Sequence, residues 1–287
     1  MTDVTYDNHG PRFAEASPEI SEGAVALFGA CYDGTTSFRA GARDGPDAIR
    51  AASMGLETYS PAQQLDTTED INLADLGNLY LTAGAAAPVV DTVTWATREI
   101  INARAKPLLL GGEHSVSVGA IRAHAEYYSE LTVVQLDAHA DLRDGYRGEP
   151  LNHASAMRRV LDVVPSQRLL QVGIRSGTAD EFEELHQSGR LVAPLADELE
   201  QRLESSSGPV YLTVDLDVFD PAYFPGTGTP EPGGIDWKTF EQLLEAIVPR
   251  RLVAADVVEL APRLDPTGCS SVLAAKVVRE VALRVGR

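Results

Sequence analysis

Three short clusters in this chain carry residue types that hold metal ions. They are LLLGGEHS with His114, VVQLDAHAD with Asp137, His139 and Asp141, and YLTVDLDVFDP with Asp215 and Asp217. Each follows an apolar, β-branched run that reads as a strand. Two glycines before His114 permit a tight turn. In extended chain, residues two apart project to one side, so the spacing aims each group at one place. Two imidazoles and four carboxylates exceed what a tetrahedral zinc takes and suit two divalent first-row ions. Six protein groups satisfy two ions only when some carboxylates bridge, which holds the ions roughly 3.5–4 Å apart. Oxygen-rich ligation favours manganese. A lone strand-end Asp is commonly a turn residue, and a lone His a hydrogen-bonded core residue. Six such residues at three strand ends form a metal centre.

The elements that must position them alternate along the chain. Apolar runs predict strands over 24–30, 71–75, 107–110, 131–136, 168–172, 191–194, 209–214 and 251–258. Helical patterning fills 91–105, 116–128, 154–164, 179–187, 196–205, 236–247 and 270–285, and a short helix opens near Pro46. Nearly all-apolar strands between helices predict an α/β fold with one parallel sheet covered on both faces. Ligands of such sheets bind beyond the carboxyl ends of the strands, where the three clusters lie. The polar segment 32–45 is longer than a turn and reads as a functional loop. With no repeat and no long linker, residues 1–287 read as a single domain.

Asp plus Glu number 42 against 24 Lys plus Arg, a formal charge of −18. Such a surface repels nucleic acid and anionic membranes and draws cations. The favoured reading is adaptation to a salt-rich, halophilic cytoplasm, where repulsion is screened within a few ångströms. No run approaches the roughly 20 apolar residues that span a bilayer. The first twelve residues lack the basic and apolar regions of a signal peptide. Cys31 and Cys269 make no disulfide framework. A cytoplasmic location is expected.

At GGEHS, DAHAD and DLDVFDPAYFPGTGTPEPGG the chain resembles the ureohydrolase family of arginases, agmatinases and formimidoylglutamases. DGTTSFRAGARDGPDAIRAAS and DVVELAPRLDPTG extend the likeness over roughly residues 25–285. The resemblance implies a sheet of about eight strands, a homotrimer or homohexamer, and two manganese ions. His114 and Asp141 would serve one ion, His139 and Asp217 the other, and Asp137 and Asp215 both. His153 matches the family's proton-shuttling histidine, Glu259 the carboxylate that receives the guanidinium, and Thr229 a hydroxyl near the substrate. His153 is followed by Ala154 where the family most often has glycine. LRDGYRGEPLNHASAMRR looks like an archaeal-type agmatinase variant.

The implied reaction is hydrolysis of a guanidino group to urea and an amine. Glu259 would hold the planar cation by charge-assisted hydrogen bonds. Asp141 would accept a proton from the attacking water, and His153 would protonate the leaving amine. LRDGYRGEPLNH lacks the Ser/Asn-containing stretch with which arginases bind an α-amino acid, so agmatine is the first expectation. Rivals are guanidinobutyrate, aminopropylagmatine and guanidine. A catalytically silent homologue with a structural or regulatory role, and a single-zinc deacetylase-like hydrolase, complete the alternatives.

Other residues read as support. Glu113, next to a ligand, should point elsewhere and support the site rather than bind metal. Asp220 fits an Asx-type turn. Arg39 and Arg43 organise the mouth loop or a subunit contact. His9, His124, His186, Cys31, Trp95 and Trp237 read as packing or surface.

Overall fold

A computed structural model describes residues 5–7, 10–206, 208–247 and 252–287. The expectations for His9 and for Arg251 lie outside the described residues. The chain runs through β1 (Tyr6–Asp7), β2 (Val25–Ala30), α1 (Gly45–Ser53), β3 (Tyr59–Ser60), β4 (Leu65–Asp66) and β5 (Leu73–Leu79). It continues through α2 (Ala86–Asn102), β6 (Lys106–Gly111), α3 (Ser117–Tyr127), β7 (Thr132–Leu136), α4 (Ala156–Val160) and β8 (Leu169–Val172). α5 (Ala179–Ser188), β9 (Leu191–Val192), α6 (Ala196–Glu204), β10 (Val210–Asp215), α7 (Trp237–Ile247), β11 (Leu252–Val258) and α8 (Cys269–Gly286) complete it.

Among the described residues, nine strands pair in the order β1-β5-β2-β6-β11-β10-β7-β8-β9. The sheet is parallel except at its edge, where β1 runs antiparallel to β5. About eight parallel strands were expected; the ninth is the two-residue β1, too short to leave a hydrophobic period. The β3–β4 pair lies outside this sheet. The strand expected over 71–75 starts two residues later and extends to Leu79, and the helix expected over 154–164 is only Ala156–Val160.

Both faces of the sheet are covered. One apolar cluster joins strand residues to Ile49 of α1, Leu199 of α6, Phe240 of α7 and Val278 of α8. The other joins the opposite strand faces to Val90 of α2, Ile121 of α3, Met157 of α4 and Leu185 of α5. Central strands β2, β7 and β10 are buried along their whole length, which explains their continuous rather than alternating apolar pattern. Burying each large aliphatic side chain stabilises the fold by about 1.5–3 kcal/mol. That core makes the strand ends a rigid platform.

The glycines before His114 have a different purpose from the expected turn. Neither has positive φ. A Cβ on Gly111 would meet Val258 and Val116, and one on Gly112 would lie 1.9 Å from the carbonyl oxygen of Tyr32. That carbonyl accepts the amide of Glu113 at 2.8 Å, so backbone cannot move aside cheaply. Gly112→Ala is therefore expected to lower stability by roughly 3 kcal/mol, the upper end for overpacking. Urea unfolding measures this, and a wild-type midpoint would contradict it.

Candidate metal centre and active site

The ligand-type residues emerge from the carboxyl ends of four adjacent central strands. His114 follows β6, Asp137, His139 and Asp141 follow β7, Asp215 ends β10, and Glu259 follows β11. The structure brings the six expected metal residues together. His114 Nδ1 lies 3.0 Å from Asp137 Oδ2, 3.2 Å from Asp141 Oδ2 and 3.3 Å from Asp215 Oδ2. His139 Nδ1 lies 2.9 Å from Asp217 Oδ2 and 3.7 Å from Asp137 Oδ1. Two groups with ligand atoms close enough to share an ion result, His114–Asp137–Asp141 and Asp137–His139–Asp217. Asp137 belongs to both.

The spacing of two works, but not through extended chain. Only the first aspartate of each cluster ends or adjoins its strand. Asp137 Oδ1 then accepts the amide of His139 at 2.5 Å, and Asp215 Oδ1 accepts that of Asp217 at 2.9 Å. Each aspartate thus folds the next two residues over itself, an Asx-type turn. Asp217 sits in a single 3-10 turn, and Asp141 takes a left-handed conformation at φ 53°. Glu259 is left-handed too, at φ 67°. Such backbone costs on the order of 1–3 kcal/mol per residue and is kept where geometry matters more.

The donor set fits a cation. Thr213 Oγ1 donates to Asp256 Oδ1 at 2.6 Å, so it accepts from His114 Nε2, 2.9 Å away. His114 Nδ1 then carries a lone pair; it is buried and has no hydrogen-bond partner. A lone pair facing three carboxylate oxygens is stable only with positive charge between them. In the metal-free chain that charge is a proton: burial opposes it, yet Asp137, Asp141 and Asp215 hold His114 well above the ordinary histidine range. A divalent ion answers the same geometry. Asp137, Asp141, Asp215, Asp217 and Glu259 have no Lys or Arg ion pair among the described residues.

A cavity of about 200 Å³ opens over the centre, lined by His114, His139, Asp141, His153, Asp215, Thr229 and Glu259 among others. Every expected catalytic or substrate residue thus faces one space. Glu259 Oε1 accepts the amide of His114 at 2.8 Å, and Thr229 Oγ1 donates to Asp217 Oδ2 at 3.3 Å. His153 enters from the α4 side, its Nε2 3.1 Å from Ser37 Oγ and its Nδ1 3.5 Å from Thr35 Oγ1. A larger cavity of about 430 Å³, between the segment around Ser17 and β5, gathers no cluster of titratable groups.

Supporting readings largely stand. Asp220 accepts the amides of Ala222, Gly233 and Gly234. Arg39 donates to the carbonyls of Thr227 and Gly228, and Arg43 pairs with Asp33. Trp237 packs on Phe240, with Lys276 over its ring. Cys31 is half-buried, and burial pushes its thiol up to about 12.

Several functional neighbours were missed. Asp256, Thr213, Gln135 and Gln171 are register partners on adjacent strands, a polar row crossing the apolar sheet beneath the ligands. Gln135 donates to Asp137 Oδ2 at 2.7 Å and is itself held by Gln171 at 2.7 Å. The signal was present, since each interrupts an otherwise apolar strand and a buried polar group needs a partner. Thr35 and Ser37 of the mouth loop were missed as partners of His153. Nothing local announces a contact 118 residues away.

Comparison with known proteins agrees with this layout. Residues 23–283 match the model of the arginase family. The chain is 39% identical over 282 residues to the agmatinase of Bacillus cereus, covering 96% of each. It is 35% identical to the N(1)-aminopropylagmatine ureohydrolase of Thermococcus kodakarensis, over 93% of each. The structure of the proclavaminate amidino hydrolase from Streptomyces clavuligerus superposes with a TM-score of 0.89 at 32% identity, over 96% of this chain and 97% of that one.

Crowded carboxylates set a pH dependence in the metal-free chain. Burial, then the charges of Asp217 and Asp141, pushes Asp137 up to about 7. Burial disfavours charged His139, but Asp217 outweighs it and carries the imidazole up to about 11. Asp215 and Glu259 are raised by burial, whereas hydrogen bonds and His139 overcome burial and lower Asp217. Groups with raised values bind protons more tightly folded than unfolded, so stability falls as pH rises through the folded values. The Asp137 share is lost between its ordinary 3.8 and about 7, and the His139 share between 6.5 and about 11. Chelator-treated protein should show a urea midpoint that declines from about pH 5 to about pH 9. A rising midpoint would contradict this.

Proposed function

Because this chain belongs to the arginase family, we propose that it is a binuclear manganese hydrolase that cuts agmatine to putrescine and urea. The observation that carries the reading is Asp137, whose two oxygens reach toward His114 and His139 and so join two ligand groups into one centre. His114 and Asp141 would hold one ion, His139 and Asp217 the other, with Asp137 and Asp215 between them. When bound, such ions supply Lewis acidity that makes water nucleophilic near neutral pH.

The remaining work falls to the chain's own groups. Glu259, buried and anchored through Oε1 to the His114 amide, offers a fixed charge to the planar guanidinium. Thr229, tied to Asp217, lines the same space. Asp141 takes a proton from the attacking water. His153 gives one to the leaving nitrogen as the C–N bond breaks, and solvent reprotonates it. A cavity whose floor is carboxylates selects a cation and rejects an anion. Glu231, which accepts from Ser176 Oγ on the cavity wall at 2.9 Å, adds negative charge beside it and supports a substrate with a second positive end. A trimer or hexamer working in a salt-rich cytoplasm belongs to the same proposal.

Urea release from agmatine, aminopropylagmatine, guanidinobutyrate and guanidine, compared by kcat/KM in high salt, tests the reading. Agmatine should lead, with bound manganese near two ions per chain. A better rival substrate removes the agmatine assignment but not the chemistry; no urea from any of them removes both. Thr213→Val, which takes away the hydroxyl beneath His114 Nε2, should weaken divalent-ion binding roughly 10–100-fold in a metal titration. Unaltered affinity would count against His114 as a ligand.

A further inference from the structure

The conspicuous mouth loop, DGTTSFRAG, has so far no chemical task. Its hydroxyls lie between two groups that do. Thr35 Oγ1 donates to Glu113 Oε1 over a very short contact, and its own amide donates to Glu113 Oε2 at 2.7 Å. Glu113 is fully buried and takes a further hydrogen bond from Ser115 Oγ at 2.6 Å. On its other side, Thr35 Oγ1 lies 3.1 Å from the amide of His153 and 3.5 Å from its Nδ1.

A threonine hydroxyl has one proton and two lone pairs. With Glu113 an ionised carboxylate that also takes the Ser115 hydroxyl, a Thr35 proton turned toward His153 would leave two acceptor oxygens facing each other at the Glu113 contact. With the proton on the Glu113 side, both lone pairs remain for His153, one for the backbone N–H and one for Nδ1–H. All three capacities are then used. We infer that Thr35 fixes His153 as the Nδ1–H tautomer, so that Nε2, held at the cavity wall by Ser37 Oγ, is the nitrogen that gains and gives the proton.

Ser37 completes the arrangement. Its Oγ lies 3.1 Å from Nε2 and lines the cavity, and its carbonyl accepts from Arg147 at 3.2 Å. The serine donates into neutral Nε2 and accepts from protonated Nε2, so either state has a partner. When the imidazolium acts, its Nε2–H bond breaks, an N–H bond forms on the leaving nitrogen, and neutral Nδ1–H imidazole remains against Thr35. A proton from water restores it. Thr35 is thus a positioning residue acting through His153. This deepens the hydrolase reading, on which the role of His153 rests.

The tautomer can be read without turnover. Full-length chain labelled with ¹⁵N-histidine and loaded with diamagnetic Mg²⁺ should show neutral His153 with the Nδ1–H pattern, the signal being identified by its loss in His153→Asn. Thr35→Val should shift that signal toward Nε2–H, lower kcat about tenfold and leave KM within about twofold, part of the ~10²–10⁴ that a positioned acid contributes. Thr35→Ser should restore both. An Nε2–H pattern in the wild-type chain overturns the inference even if Thr35→Val does not fold. So does an unchanged tautomer or kcat in Thr35→Val, or a failure of Thr35→Ser to rescue. Absence of urea with the Nδ1–H pattern intact overturns the reading of the reaction and leaves the Thr35 assignment standing.

Discussion

Five buried carboxylates, Asp137, Asp141, Asp215, Asp217 and Glu259, stand at one end of four neighbouring strands, and among the described residues no Lys or Arg pairs with them. Isolated buried charge costs several kcal/mol per group even after relaxation. The surrounding structure is organised to meet that cost. Asp137, Asp215, Asp217 and Glu259 each give an oxygen to a backbone amide, of His139, Asp217, Ala138 and His114 respectively. For the three aspartates, the other oxygen lies within 3.3 Å of a histidine nitrogen. One oxygen anchors and the other is available. The site is half-satisfied by protein alone, and positive charge supplies the other half.

This division explains why the strained residues lie where they do. Glu259 directly follows β11, whereas Asp141 lies in the loop beyond β7. Both have left-handed backbone, and the side chains of both line the cavity over the centre. The penalty is tolerable because the strands beneath have continuous apolar cores on both faces. The polar row Asp256–Thr213–Gln135–Gln171 lies inside that core and is costly in its own right. Its members satisfy one another and pass a fixed direction upward to His114 and Asp137.

Much of this could be read from the residues. β2, β6, β7, β8, β10 and β11 appear as apolar runs because each is buried on both faces. β1, β3 and β4 escaped because two residues carry no period, whereas β9, equally short, shows because Leu191 and Val192 open an apolar run. α4 stops early at Val160, because the amides of Asp162 and Val163 turn to the carbonyls only three residues back, of Arg159 and Val160, and Pro165 follows. The six ligand-type residues were legible from type and spacing, although the spacing acts through Asx turns rather than extended chain. Left-handed φ at Asp141 and the long-range partners of His153 have no local signature. They come from the packing of loops that sequence separates by more than a hundred residues.

One device recurs, and its two uses show what each histidine is for. In both cases a buried carboxylate claims the proton of a threonine, and the threonine accepts from a histidine: Asp256–Thr213–His114 and Glu113–Thr35–His153. The rings are gripped at opposite nitrogens. His114 is held through Nε2 and points its Nδ1 lone pair at carboxylates, where only a cation fits. His153 is held through Nδ1 and turns Nε2 toward the cavity and Ser37, where a proton can come and go. A carboxylate placed directly against the Nε2 by which His114 is gripped, or against the His153 ring, would hold a proton there and blunt the function of each. An intervening hydroxyl passes on the direction of the hydrogen bond while keeping the charge one residue away. That leaves one imidazole free to take a metal and the other free to release its proton.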